Sequence, residues 1–344
     1  MARVRVYLTI DTECAEERGT SAPTLGWDAR VWGRFANQRR ALGIEMIMDV
    51  LEAHGLRGTF FTEALGSAYF GEAGLADVVR TLVARGHDVQ LHAHPRQIVA
   101  NYRSLGRAPV SDDIGTYAVA EQARLLGEGI AILERCGAPA GSVLAFRAGN
   151  YGASNATWEA MARAGLVLSS SYNPCYFDKN CAMRSADASA GLFVAEHGIW
   201  ELPITNFVER GGGHRHAQIT AISRAETRAL LDAAHRDGLR EVTIVTHSFE
   251  LYHLDSPTTG RPNTINVRRL HALAQYLADH HDRFEVDTCG ALARRIRDGV
   301  EPRPAPASHP RGHSAYKLMR LASQALKRLE QRYGDRVPWL AGSR

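Results

Sequence analysis

The feature that most constrains the fold is the regular alternation of short apolar runs with segments of helical period. The apolar runs predict strands at 3–10, 57–63, 88–94, 142–149, 166–171, 241–248 and 283–288. The segments between them predict helices at 38–56, 75–86, 111–136, 154–165, 223–238 and 264–281. Such alternation is typical of parallel strands joined by helical crossovers. Periodicity alone leaves open whether the sheet closes into a barrel.

The composition changes near residue 300, which predicts a first domain over 1–299. Four prolines then fall within nine residues, at 302, 304, 306 and 310, and predict an extended linker over 300–313. The basic tail over 314–344 contains a segment of helical period at 314–334. Because amphipathicity is the default for surface helices, we expect this helix to pack on the first domain. The alternative is peripheral contact with anionic lipid.

The net charge of +4 is concentrated in the tail. Residues 300–344 hold nine Lys/Arg and three Asp/Glu, so the rest of the chain carries 32 basic and 34 acidic residues. Nothing in that balance indicates a nucleic-acid partner. No apolar run reaches membrane-spanning length, and the N-terminus lacks the pattern of a signal peptide. Together with five scattered cysteines, this predicts a cytoplasmic location, with membrane association through the C-terminal helix left open.

Titratable and polar side chains follow the apolar bodies of four predicted strands. In chain order they are Asp11, Glu13, His92, His94, Arg147, Tyr151 and His247. Ligands of parallel α/β proteins bind outside the carboxyl ends of the strands. We therefore expect these side chains to share one pocket.

The spacing of two pairs predicts a metal site. Residues two apart in a strand point the same way, so Asp11 and Glu13 share a direction, as do His92 and His94. Two imidazoles and a carboxylate, with positions left open, form a catalytic site suited to zinc and similar ions. A divalent metal makes water acidic enough to attack an acyl carbon, while a carboxylate takes its proton and a histidine protonates the leaving group.

The order of the motifs resembles the polysaccharide deacetylase family, carbohydrate esterase family 4, which has the NodB homology domain. The matching stretches are "TIDTE" (9–13), "GTFF" (58–61), "GHDVQLHAH" (86–94), "FRAGNYG" (146–152), "LPIT" (202–205) and "VTHSFE" (245–250). The resemblance implies an α/β fold, a distorted (β/α)7-type barrel of the NodB-like kind, here followed by the C-terminal amphipathic helix. It also implies metal-dependent removal of N-acetyl groups from amino sugars.

The resemblance also implies roles for the site residues. Asp11 matches the catalytic base, Arg147 the arginine that orients it, and His247 the catalytic acid. Tyr151 matches the tyrosine whose backbone N–H helps to hold the oxyanion. The metal ligands would be Glu13, His92 and His94, and the expected ion is Zn²⁺, with Co²⁺, Fe²⁺ or Ni²⁺ as alternatives.

The chain departs from the family pattern at three places. Thr12 occupies the usual position of the aspartate that binds the metal, so Glu13 is the candidate ligand. The second histidine usually lies four residues after the first, where this chain has Arg96, so His94 must serve. The carboxylate that usually orients the catalytic histidine has no clear match, and Asp178 and Glu250 are the two candidates.

The substrate implied by the resemblance is an N-acylated amino sugar in a polysaccharide or glycan precursor. One alternative is a deformylase or deacetylase of a nucleotide- or lipid-linked amino sugar. A second is an inactive carbohydrate-binding barrel, although binding alone needs neither a base nor an acid. The amidohydrolases also use an H-x-H pair, but normally after the first strand, whereas here it follows the third.

Two irregular stretches, 95–113 and 172–222, are expected to shape the substrate cleft. The second stretch holds another H-x-H pair, His214 and His216, in a glycine-rich loop. We expect these two histidines to be exposed to solvent and not to bind metal.

Overall fold

The computed structural model describes residues 2–15, 25–97, 111–209 and 211–312, together with residues 320, 321, 324–326 and 328. Most of the loop 95–113 and most of the predicted helix 314–334 therefore lie outside the described residues. Within the part of the chain that is described, no helix is both long and apolar enough to cross a membrane.

The described residues form strands and helices in the predicted alternation. The strands are β1 (Val4–Thr12), β2 (Thr59–Glu63), β3 (Asp88–Ala93), β4 (Ala145–Ala148), β5 (Leu168–Ser169), β6 (Phe193–Val194), β7 (Trp200–Glu201), β8 (Asn206–Val208), β9 (His214–His216), β10 (Glu241–His247), β11 (Tyr252–Ser256), β12 (Thr259–Pro262) and β13 (Phe284–Asp287). The α-helices are α1 (Ile44–Glu52), α2 (Ser67–Phe70), α3 (Glu72–Ala84), α4 (Val119–Arg135), α5 (Asn155–Arg163), α6 (Arg224–Arg236), α7 (Thr264–Asp279) and α8 (Cys289–Arg297).

The main sheet has the strand order β10-β1-β2-β3-β4-β5-β7-β6, with β13 also paired to β1. All of these pairings are parallel except that of β6 with β7. Beyond β7 the chain meets β10, since the N–H of Thr205 donates to the carbonyl of Thr243 (3.3 Å) and that of Ile219 to the carbonyl of Val245 (3.0 Å). The curled parallel sheet confirms the predicted distorted (β/α) barrel.

Strand alternation in β1 explains why the same strand serves both the core and the site. Leu8 and Ile10 belong to the main hydrophobic cluster, which also contains the apolar face of α1. Tyr7 points to the other face and belongs to a second cluster with Phe61 and residues of α8. Because Asp11 lies four residues after Tyr7, strand alternation directs it to the same face as Tyr7. Burial on both faces accounts for the nearly continuous apolar run.

Helix boundaries differ from the predictions where the chain makes tertiary contacts. Helix α1 begins at Ile44 and not near 38, because Gly43 packs directly on the turn before it. A Cβ at Gly43 would lie 2.1 Å from the carbonyl oxygen of Val31. The predicted capping box at the start of α6 is confirmed: the N–H of Ser223 donates to Glu226 (2.8 Å), and the N–H of Glu226 donates to the Ser223 hydroxyl (3.3 Å).

Candidate active site

The strand register brings the predicted site residues to one edge of the sheet. Asp11 on β1 is the register partner of His247 on β10. His92 on β3 is the register partner of Arg147 on β4. All of these residues lie at the carboxyl ends of their strands. The pairing of the strands therefore brings their side chains to one edge of the sheet, as predicted.

Glu13, His92 and His94 form the candidate metal centre. One carboxylate oxygen of Glu13, Oε2, lies 2.6 Å from Nε2 of His94 and 3.4 Å from Nε2 of His92. One ligand atom from each of the three residues lies within 4.8 Å of the others. Both imidazoles are buried, at 2% and 4% exposed, and Glu13 is 9% exposed. Two imidazoles and a carboxylate are the donor set of a catalytic zinc site.

The hydrogen bonds behind the two imidazoles direct their free nitrogens into this centre. Nδ1 of His92 donates to the carbonyl oxygen of Arg147 (2.8 Å), and Nδ1 of His94 donates to a carboxylate oxygen of Asp112 (2.8 Å). In the neutral rings, Nε2 then carries a lone pair. Oε2 of Glu13 is buried and faces both Nε2 atoms. Acceptors that face one another in this way fit a divalent cation.

A proton on His94 would compete with a cation for this centre. Burial disfavours the charged form of both Glu13 and His94, but it is outweighed by His94 together with His92 around Glu13, and by Glu13 together with Asp112 around His94. The pKa of Glu13 therefore lies well below its ordinary value, and the pKa of His94 lies well above its own. Metal binding would have to displace the proton of His94.

Asp112 was not predicted from the sequence. It precedes α4 and also accepts a hydrogen bond from the side-chain amide of Asn150 (2.8 Å). The β4 loop can approach this pair closely because residue 149 is glycine: a Cβ there would lie 2.6 Å from the ring of His94. No spacing rule links Asp112 to a histidine 18 residues earlier across an irregular loop.

Asp11 is held by a fully buried arginine. Nη1 of Arg147 donates to Oδ1 of Asp11 (2.6 Å), while Nε and Nη2 donate to the carbonyl and the hydroxyl of Ser170 (both 3.0 Å). The guanidinium also lies 4.2 Å above the ring of Phe61. Three hydrogen bonds and a ring contact fix the arginine, and a fixed arginine orients the carboxylate.

His247 lies on the other side of Asp11, with Nε2 at 3.8 Å from Oδ2 of that carboxylate. Its Nδ1 is 3.0 Å from Oε1 of Glu250. Glu250 also accepts hydrogen bonds from the side chains of Thr246 (2.9 Å), Thr220 (3.2 Å) and Gln218. Burial lowers the pKa of His247, but Glu250 and Asp11 raise it to about 9. His247 is therefore protonated near neutral pH.

Of the two candidates for the carboxylate that orients His247, the structure places Glu250 there. Asp178 is the wrong candidate, because its side chain is 94% exposed and pairs with Arg184 at 3.3 Å.

Comparison with known proteins bears on the fold. No protein-family model matches the sequence, and no curated protein matches it. Among solved structures, a Parabacteroides distasonis protein described as a glycoside hydrolase/deacetylase has a TM-score of 0.55 at 10% identity, covering 86% of this chain and 72% of that chain. The 4-alpha-glucanotransferase of Thermococcus litoralis has a TM-score of 0.53 at 10% identity, covering 96% of this chain and 47% of that chain.

A Mycobacterium smegmatis protein described as a polysaccharide deacetylase matches with a TM-score of 0.48 at 18% identity, covering 77% of this chain and 80% of that chain. The likeness to the structures with TM-scores above 0.5 shows the fold of this chain, a curled, NodB-like (β/α) barrel. At such low identities the likeness concerns the fold, so the activity must be argued from the residues.

In this NodB-like barrel, the loop after β4 carries two consecutive residues with left-handed backbone. Asn150 and Tyr151 have φ angles of 54° and 57°, which few non-glycine residues adopt. Strained backbone of this kind clusters at functional sites. Tyr151 is buried, and burial followed by the charge of Asp11 raises the pKa of its hydroxyl well above the ordinary value. The assignment of its N–H to the oxyanion stays a prediction.

Of the second H-x-H pair, only one member has the solvent exposure that was predicted for both. His214 is exposed, whereas His216 is partly buried, and its ring stacks on Tyr176 at 5.6 Å with an interplanar angle of 17°. Burial, with the charge of Arg215, lowers the pKa of His216 to about 4. Tyr176 in turn contacts the ring of Tyr151 at 4.8 Å. The irregular segment therefore forms an aromatic wall beside the site.

All five cysteines are free thiols, and Cys175 does not pair with Cys181. The Cys175 thiol instead donates to the side-chain oxygen of Asn206 (2.9 Å).

Proposed function

We propose that the protein is a metal-dependent N-deacetylase of amino sugars in a polysaccharide or glycan precursor. The observation that carries the proposal is the position of Asp11. This one carboxylate lies between a fixed arginine and a protonated histidine, next to a three-residue metal donor set. Amide hydrolysis needs a base for the water, an acid for the leaving amine and stabilisation of the oxyanion.

The residues of the chain divide these tasks. Arg147 orients Asp11, whose carboxylate can accept a proton from the attacking water. His247 carries a proton and is held by Glu250, so it can protonate the leaving nitrogen. A divalent metal held by Glu13, His92 and His94 would supply Lewis acidity toward the water and the acyl oxygen. Neither the base nor the acid is needed by a protein that only binds carbohydrate.

The experiment that tests this function compares metal content with hydrolysis. Purified protein would be analysed for bound Zn²⁺, Co²⁺, Fe²⁺ and Ni²⁺, and assayed on N-acetylglucosamine oligomers and on nucleotide-linked N-acetyl and N-formyl amino sugars. We expect about one metal per chain and release of acetate from an N-acetyl substrate. Release of formate alone would favour the deformylase alternative. Metal-loaded protein that binds oligomers without hydrolysing them would indicate an inactive binding barrel.

Glu250→Gln is expected to move the basic limb of the pH–rate profile to lower pH. The acid must be protonated, so wild-type activity is retained below a pKa of about 9 for His247 and is lost as pH rises through it. The substitution removes the carboxylate charge that raises this pKa, so the loss begins earlier. The measurement is kcat/KM against pH, with an NMR titration of the His247 ring. Asp178→Asn removes an exposed carboxylate and is the control. An unchanged basic limb in Glu250→Gln would contradict the assignment of the pair.

A further inference from the structure

The segment predicted as a linker runs along the β8–β9 hairpin. The N–H of Val208 donates to the carbonyl of Pro310 (2.9 Å), and the N–H of Gly312 donates to the carbonyl of Val208 (2.9 Å). Residue 312 fits only because it is glycine, since a Cβ there would lie 2.7 Å from the ring of Phe207. The segment 307–312 therefore makes backbone contacts with the barrel. We call residues 307–312 together with Arg320 the C-terminal strap.

Arg320 joins the strap to two separate places on the barrel. Its side chain is only 3% exposed. Nη1 donates to Oε1 of Glu226 (2.6 Å) in the first turn of α6, and Nη2 donates to Glu209, just after β8. Removing one partner of a buried ion pair is costly, and here it would take one cation away from two carboxylates at once, although Glu209 also lies 3.8 Å from Arg215. One guanidinium thus holds both ends of the segment 209–226.

The segment between these two ends carries residues of the candidate site. His216 stacks on Tyr176 in the cleft wall. Gln218 and Thr220 donate side-chain hydrogen bonds to Glu250, the carboxylate that holds His247. The backbone between them is paired to β10, as the N–H of Val245 donates to the carbonyl of Ala217 (2.9 Å). A series of contacts therefore leads from Arg320 to His247. Arg320 binds the two ends of the segment, Gln218 and Thr220 within it bind Glu250, and Glu250 binds His247.

We propose that Arg320 is a positioning residue, through which the C-terminal strap holds Gln218 and Thr220 against Glu250 and so fixes His247. This inference rests on the proposed function of His247 as the acid. On this proposal the C-terminal strap contributes to catalysis although it does not contact the substrate.

The test compares Arg320→Gln with Arg328→Gln in the full-length protein. Arg328 is an exposed arginine eight residues later in the chain and also helical, so it is the matched control. Hydrogen–deuterium exchange would be measured on peptides covering 205–222, along with kcat and KM well below the melting temperature. We expect faster exchange in this segment only for Arg320→Gln. We also expect kcat to fall about tenfold with KM changed less than about twofold, since small misplacements of catalytic groups cost up to roughly a hundredfold.

The conservative variant Arg320→Lys should recover part of the lost kcat, because a lysine keeps the charge although it cannot bridge two carboxylates as well. If Arg320→Gln fails to fold, Glu209→Gln releases the hairpin end alone and should give the same exchange pattern. A lowered melting temperature with exchange and kcat equal to those of Arg328→Gln would overturn the proposal. If Arg320→Gln exchanges faster but the wild-type protein hydrolyses no amide, the proposed function is rejected. The finding that Arg320 holds the segment 209–226 in place would still stand.

Discussion

Replacing Asp11 with Asn is expected to lower kcat by about two to four orders of magnitude while bound metal stays unchanged. The structure separates Asp11 from the donor set, since its carboxylate contacts Arg147 and faces His247. An amide at this position keeps the size of the side chain and one oxygen for Arg147, but it cannot accept a proton from water. Metal analysis beside steady-state kinetics measures both parts of the prediction.

Glu13→Gln is the matched comparison, because it makes the same chemical change two residues away. It should lose both metal and turnover, because a carboxylate oxygen of Glu13 lies within 4.8 Å of a ring nitrogen of each imidazole, close enough for all three to bind one ion. The two variants thus distinguish a base from a ligand. If Asp11→Asn lost the metal and Glu13→Gln kept it, the two roles would have to be exchanged.

Strand alternation was enough to predict the centre of this site. Asp11 with Glu13, and His92 with His94, are paired by a period that any extended backbone imposes. Parallel strands place their carboxyl ends at one edge, so the four side chains had to lie near one another whatever the details of the barrel. The alternation of strands and helices predicted the parallel sheet for the same reason, and the motif order indicated the barrel.

The supporting residues could not be predicted, because they arrive from loops with no period. Asp112 reaches His94 from an irregular segment, and Gln218 reaches Glu250 from the stretch between β9 and α6. Arg30 was missed for another reason, because it lies in a π-helix, Trp27–Trp32, that the sequence pattern did not predict. Its guanidinium lies 3.1 Å from the ring centre of Phe249 and 4.0 Å from Glu13. The first domain over 1–299 stays a prediction, and the strap contacts show what a truncation after residue 299 would remove.

The second large effect is expected at the histidines. His92→Ala and His94→Ala should each remove most of the bound metal and nearly all activity, because two remaining protein ligands rarely hold zinc. The substitutions differ in what else they disturb. His92 is oriented by a backbone carbonyl, which no side-chain substitution removes, whereas His94 is oriented by Asp112. Asp112→Ala is therefore the graded test, and it should weaken metal affinity about 10- to 100-fold without abolishing binding.

Metal affinity would be measured by competition with a chelating dye, which needs no activity assay. The expected order of affinity is wild type, then Asp112→Ala, then the two histidine variants. Stoichiometric metal in His94→Ala would show that this imidazole is not a ligand and that another group completes the site. Equal affinities of Asp112→Ala and wild type would mean that the hydrogen bond from Nδ1 of His94 to Asp112 does not affect how tightly His94 binds the metal. Because Nε2 of His94 lies only 2.6 Å from Glu13, the first of these outcomes would also leave that contact as a simple ion pair.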